Sequence, residues 1–202
     1  MMSLIQWIID TTLKNPIVFD FQQKFCNDYS TVTKEFSEIL NRNHIHILDV
    51  GCSTGTCAGQ IIDMDANSYI GLDVVPRYIE IAQSRYKKGQ FFAMDARSMT
   101  FENNSFDVAI FIGVLHHMDD QLAKDCLAEV HRVLKPTGCV IVAEPVFTPK
   151  MFLSNLLLSL DRGRYIRNEA KYQSLFDKYK IERQGHFRFS LHRFCSYVLQ
   201  PA

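Results

Sequence analysis

Ile47-Leu-Asp-Val-Gly-Cys-Ser-Thr-Gly-Thr-Cys-Ala-Gly59 opens with an apolar run of strand length and continues through a turn punctuated by Gly51 and Gly55 into small residues that suit a helix start. A strand, a glycine-rich turn and a helix in that order form the first half of a βα unit. In an open α/β sheet, ligands bind beyond the carboxyl ends of the strands, next to the first such turn. A dinucleotide site at this place uses GxGxxG, so that backbone can approach a pyrophosphate at the helix N-terminus. Counted from Gly51, the second and third glycines are replaced by Ser53 and Thr56. The dinucleotide fingerprint fails at both.

Outward from this turn, short apolar runs at residues 44–50, 69–74, 90–94, 106–112 and 139–143 read as strands rich in Val, Ile and Phe. Segments of helical period separate most of them. Leu122, Leu127, Val130, Val133 and Leu134 recur at helical steps, and Pro136 and Gly138 then end the helix. Strands alternating with helices predict right-handed crossovers and a parallel sheet covered on both faces. The C-terminal end differs. Phe187, Phe189 and Leu191 alternate with His186, Arg188 and Ser190, and a second run follows at 194–199, so residues 181–202 read as an antiparallel pair added to the sheet. The fold class is α/β: a doubly wound, Rossmann-like, mostly parallel seven-stranded sheet with an antiparallel C-terminal strand and helices on both faces.

A single domain is expected over residues 1–202. Residues 1–43 form a helical N-terminal cap, 44–145 a cofactor-binding core, 146–180 a substrate-side insertion, and 181–202 the antiparallel pair. In the cap, Leu4, Ile5, Ile8, Ile9 and Leu13 outline an amphipathic helix stopped by Asn15-Pro16, and a second helix covers 30–40. The insertion begins with an apolar helix at 151–160, which suits a core, a dimer contact or a lid over a lipid-like substrate.

With 202 residues, 47% hydrophobic and 22% charged, the chain has an ordinary globular composition. Its formal net charge is zero, so no overall basic field points to nucleic acid. Residues 150–202 nevertheless carry a surplus of Lys and Arg over Asp and Glu, which fits either an anionic substrate or a solvated basic face. The six cysteines show neither a CxxC pair nor a Cys/His zinc spacing, so no metal site is expected and a reduced, cytoplasmic setting is the default. The first residues lack the pattern of a signal peptide, and no run reaches the roughly 18 apolar residues of a membrane span.

The motifs align in order along the chain. Asp49, Gly51 and Gly55 are followed by Asp73 in Gly71-Leu-Asp-Val-Val-Pro76, then Asp95-Ala96, then residues 104–117, then Glu129-Val-His-Arg-Val-Leu-Lys-Pro-Thr-Gly138. Over residues 45–145 the chain resembles the class I S-adenosylmethionine-dependent methyltransferases, of the type that acts on small molecules. Ser53 departs from the usual middle glycine of the first motif, and Thr137 stands where glycine is common.

The resemblance implies S-adenosyl-L-methionine as cofactor and S-adenosyl-L-homocysteine as product. It places Asp49 near the methionine amino group, with Gly51, Cys52, Ser53 and Gly55 lying against the cofactor. Asp73 would accept both ribose hydroxyls. Val74 and Tyr78 would pack on the adenine, Asp95 and Ala96 would meet its amino group, and Ile112 and Gly113 would sit beside the methionine portion.

Methyl transfer from a sulfonium is an in-line displacement that depends on proximity and alignment. A hydroxyl or ammonium acceptor also has to lose a proton, and His117 or His116 at the mouth beyond the fourth strand could take it. Arg164, Tyr165, Arg167, His186 and Arg188 come from the region that shapes the substrate pocket in this family and could hold a phosphate or carboxylate. A small-molecule partner, no nucleic acid and a monomer or homodimer are expected. The alternatives are a protein or nucleic-acid methyltransferase and a non-catalytic S-adenosylmethionine-binding protein. Against nucleic-acid amino-group chemistry, residues 112–115 read Ile-Gly-Val-Leu and carry no Asn-Pro-Pro-Tyr signature.

Overall fold

A computed structural model describes residues 29–160 and 163–202. The amphipathic segment at 4–13 lies outside the described residues, as does the stretch at 19–22. In chain order the elements are α1 (Ser30–Glu35), α2 (Ser37–Leu40), β1 (His46–Val50), α3 (Ala58–Ile61), β2 (Ser68–Asp73), α4 (Pro76–Arg85), β3 (Gln90–Ala93) and β4 (Phe106–Ile112). A 3-10 turn (Leu115–His117) follows, and then α5 (Asp120–Val133), β5 (Leu134–Val146), α6 (Phe152–Ser159), α7 (Glu169–Gln173), β6 (Tyr179–Phe189) and β7 (His192–Pro201).

The strands form one sheet in the order β3-β2-β1-β4-β5-β7-β6. β1 to β5 run parallel, while β7 pairs antiparallel with both β5 and β6. Alternation along the central strands feeds two cores. Leu48, Val50, Ala109, Phe111, Val140 and Val142 meet the apolar stripe of α5 on one face. Ile47, Val108, Ile110 and Ile141 meet α1 to α4 on the other. The doubly wound sheet expected from the sequence is the sheet observed.

Two elements differ from expectation. The expected helix at 30–40 is two short helices, separated at Phe36 by a residue with φ −113° and ψ 20°. β5 is longer than residues 139–143, because Leu134 leaves the helix directly into extended backbone and pairs with Phe106 before the register shifts. Pro136 and Gly138 fall in that irregular stretch, where a strand tolerates a missing donor. At the other end of α5, Asp119 caps the helix by accepting from Leu122 N at 2.8 Å.

Candidate active site

The carboxyl ends of β1, β2 and β4 surround a cavity of about 310 Å³, its walls mostly apolar. Each strand contributes one turn. After β1, the chain reverses at Gly51 with φ 76°, and a Cβ there would lie 2.8 Å from both methyl carbons of Val114 in the turn after β4. Only glycine lets these two turns approach so closely.

After β2, Asp73 folds its carboxylate back over the backbone. Its Oδ2 accepts from Ser53 N at 3.0 Å and its Oδ1 from Val75 N at 2.9 Å. The acid thereby ties the first turn to the second, at the cavity edge. Val74, Val75, Tyr78 and Met94 form an apolar slot beside it.

Asp49 lies deeper. It is buried, and its Oδ2 accepts from the phenol of Tyr69 at 2.8 Å. Burial pushes its carboxyl up to about 7, a rise opposed by the Tyr69 hydrogen bond and reinforced by the charge of Asp73. Tyr69 reaches it because Gly71 has no side chain: a Cβ at Gly71 would lie 2.9 Å from the Tyr69 hydroxyl and 2.8 Å from Cys52 Sγ. Cys52 is buried against this arrangement, and burial, followed by the charges of Asp49 and Asp73, drives its thiol far above the usual range. It is a packing residue with no thiolate character.

The turn after β4 is held from two sides. Glu144, fully buried near the end of β5, accepts from Val114 N at 2.9 Å and Leu115 N at 2.7 Å through Oε1. Its Oε2 accepts from His116 N at 3.2 Å and lies 2.7 Å from His116 Nδ1. From the other side, the buried guanidinium of Arg167 donates to Leu115 O at 2.8 Å, Met118 O at 2.6 Å and Tyr165 O at 2.9 Å, and pairs with Asp120 at 2.9 Å. Tyr165 N adds a bond to His116 O at 2.9 Å. Glu144 and Arg167 brace opposite sides of one short loop.

That bracing separates the two histidines. His116 is buried with its Nδ1 on Glu144, which makes it part of the loop's support. His117 is exposed, lines the cavity and stacks on His116 with ring centroids 4.1 Å apart.

Of the residues singled out from sequence for the cofactor, Gly51, Ser53, Asp73, Val74, Tyr78 and Gly113 line the cavity. Asp49, Cys52, Gly55, Asp95, Ala96 and Ile112 are not among the lining residues. The Asp95 carboxylate is engaged by Arg97 at 2.6 Å, and that hydrogen bond holds it below the usual carboxylate range. The segment after β3 is fixed by α5, where Arg132 donates to Met99 O and Phe101 O while Glu129 accepts from Met99 N. This accounts structurally for the Glu129–Arg132 part of the last motif.

The residues singled out for substrate scatter. Tyr165 and Arg164 are exposed on the loop that contacts the turn after β4. Arg167 faces that turn rather than the cavity. His186 pairs with Glu169 at 2.7 Å on the outermost strand, and Arg188 is exposed on the same strand, two strands beyond β5. The sheet order keeps both away from the cavity. Sequence reasoning missed Glu144, Tyr69 and Gly71 as site residues. An acid at the end of a central strand was the only local signal for Glu144. On α6, Phe152, Leu153, Leu156 and Leu157 remain exposed.

Comparison with known proteins shows what part of the chain is similar to. Residues 47–138 match the profile described as Methyltransferase domain. An O-methyltransferase of Aspergillus nomiae is 38% identical over 120 residues, covering 56% of this chain and 52% of that protein. A demethylmenaquinone methyltransferase of Chlorobaculum tepidum is 32% identical over 112 residues, covering 55% and 46%. The chain spans about half the length of these curated relatives. Among solved structures, a protein from Pyrococcus horikoshii superposes with a TM-score of 0.70 at 20% identity, over 86% of this chain and 89% of that one. Magnesium protoporphyrin IX methyltransferase from Synechocystis, solved with S-adenosylhomocysteine, superposes at 0.67 and 16% identity, over 93% and 87%. At these identities the structural likeness is one of fold.

Proposed function

We propose, from the match of residues 47–138 to a methyltransferase domain, that the chain is a class I S-adenosylmethionine-dependent methyltransferase that transfers a methyl group by in-line displacement to a small-molecule acceptor. The observation that carries this reading is the cavity edge at Asp73. There a carboxylate, fixed by two backbone amides, stands beside an apolar slot made by Val74, Tyr78 and Met94. A strand-end acid next to an apolar slot suits a ribose and its base.

When bound, S-adenosylmethionine supplies an electrophilic methyl group on a sulfonium. The chain's own residues do the rest. Asp73 would orient the ribose hydroxyls, and the Val74–Tyr78 slot would hold the adenine by apolar contact and stacking. Asp49 would meet the methionine ammonium as an anion, positioned by Tyr69. Gly113, with φ 66°, lets backbone rather than a side chain border the methionine end. Glu144 and Arg167 hold the turn after β4 so that His117 stays at the mouth, where a ring nitrogen can take the proton of a hydroxyl or amine acceptor. His116 acts through the position it gives His117.

Thermal denaturation tests the assignment. Ligand at 100 times its dissociation constant adds about 2.7 kcal/mol. S-adenosylhomocysteine should raise Tm while NAD leaves it unchanged; the opposite pattern rejects the reading. His117→Ala should retain S-adenosylhomocysteine binding and lose turnover near neutral pH, and full turnover would remove His117 from the proton-transfer role.

A further inference from the structure

Ser53 stands where the family's cofactor-binding turn usually carries glycine, and its backbone shows what glycine would provide. Its φ is 51°, in the left-handed region that side chains other than glycine, Asn and Asp rarely adopt. Its amide is fixed on Asp73 Oδ2, so the strained backbone has little room to relax. A second observation is independent of the first. Among the described residues, Ser53 Oγ is the buried side-chain polar atom with no hydrogen-bond partner. Two other hydroxyls belong to the same turn, Thr54 and Thr56, and they lie buried within 3.1 Å of one another. Ser53 alone of the three lines the cavity.

Buried polar groups without partners are costly and uncommon, so each one calls for an explanation. Asp73 at the cavity edge and the deeper Asp49 can meet hydroxyls and an ammonium but repel an anion. A zwitterionic amino acid also brings a carboxylate, which needs a donor. We infer that Ser53 is held strained and unsatisfied until, by rotation about its single side-chain torsion, its hydroxyl donates to the methionine carboxylate of the bound cofactor. This rests on the proposed function and adds a side-chain donor that a glycine at this place would lack. Its consequence is a trade: the residue lowers the stability of the ligand-free protein and raises affinity for the cofactor.

Ser53→Gly and Ser53→Ala test it, with Tm measured without ligand and affinities measured by calorimetry. Two probes are used, S-adenosylhomocysteine and 5′-methylthioadenosine, which lacks the amino-acid portion. Ser53→Gly should raise the ligand-free Tm by about 2–4 °C and weaken S-adenosylhomocysteine binding roughly tenfold. Binding of 5′-methylthioadenosine should not change. Ser53→Ala, which keeps a Cβ in the left-handed region, should show the same loss of affinity with a smaller rise in Tm. Unchanged or tighter S-adenosylhomocysteine binding by Ser53→Gly overturns the inference. So does an equal loss for both probes, which would mark a general disturbance of the turn, or a fall in Tm. A parent chain that neither probe binds rejects the proposed function itself, and the inference falls with it.

Discussion

Tyr69 donates its phenolic hydrogen to Asp49 at 2.8 Å, crossing the bare backbone of Gly71 to reach a carboxylate from which water is excluded. The two residues sit on neighbouring parallel strands, β2 and β1, with Asp49 opposite Gly71 in register. The acid therefore has one side-chain donor and an expensive desolvated charge, the balance that pushes its carboxyl up to about 7.

A carboxyl whose pKa is higher folded than unfolded binds its proton more tightly in the native state. Asp49 therefore contributes stability that is present at low pH and is lost as pH rises through about 7. Denaturant melts of the parent and Asp49→Asn between pH 5.5 and 8 should diverge, with the parent losing stability relative to the variant as pH rises. Cofactor binding works in the opposite direction, because a ligand ammonium favours the ionised acid. S-adenosylhomocysteine affinity should rise with pH over the same interval in the parent and stay flat in Asp49→Asn.

Gly71→Ala places a methyl group 2.9 Å from the Tyr69 hydroxyl and 2.8 Å from Cys52 Sγ. Overpacking of this kind costs about 1–3 kcal/mol. The displaced phenol should also release Asp49, so the variant should lose cofactor affinity as well as stability. Equal Tm and affinity to the parent would show that the crowding is relieved without disturbing the pair.

Glu144→Ala removes the acceptor for the amides of Val114, Leu115 and His116 and for the His116 ring. Several buried donors left without partners should cost about 3 kcal/mol or more, read as a large fall in the denaturation midpoint. Glu144→Gln keeps one acceptor oxygen and should fold. Its S-adenosylhomocysteine affinity should stay near the parent's while turnover drops, because the loop it supports carries His117 rather than the ribose-binding acid.

Arg167→Lys keeps a charge and loses the fork. The guanidinium reaches three carbonyls and Asp120 at once, and a single ammonium cannot match that geometry. A loss of about 1–3 kcal/mol is expected, with protease sensitivity increasing in the 163–168 loop. A Lys variant as stable as the parent would show that these carbonyls find other donors.

The sheet and most of the cavity's lining were legible in the sequence because they depend on local patterns. Period-2 and helical-period runs mark the elements; Gly51 directly follows β1, Asp73 ends β2 and Tyr78 lies in the first turn of α4. The C-terminal antiparallel pair was readable for the same reason. By itself, then, the sequence determined a doubly wound sheet, the glycine-rich first turn and the acid, Asp73, that edges the cavity. The tertiary structure decided which of two adjacent histidines faces the cavity. His116 and His117 are indistinguishable in sequence until Glu144, 28 positions from His116 along the chain, binds one of them. Likewise, Arg167 reads as one of several arginines in a basic segment, and its partner Leu115 lies 52 residues earlier. Burial forces each such polar group to find a partner, and folding alone brings those partners within reach.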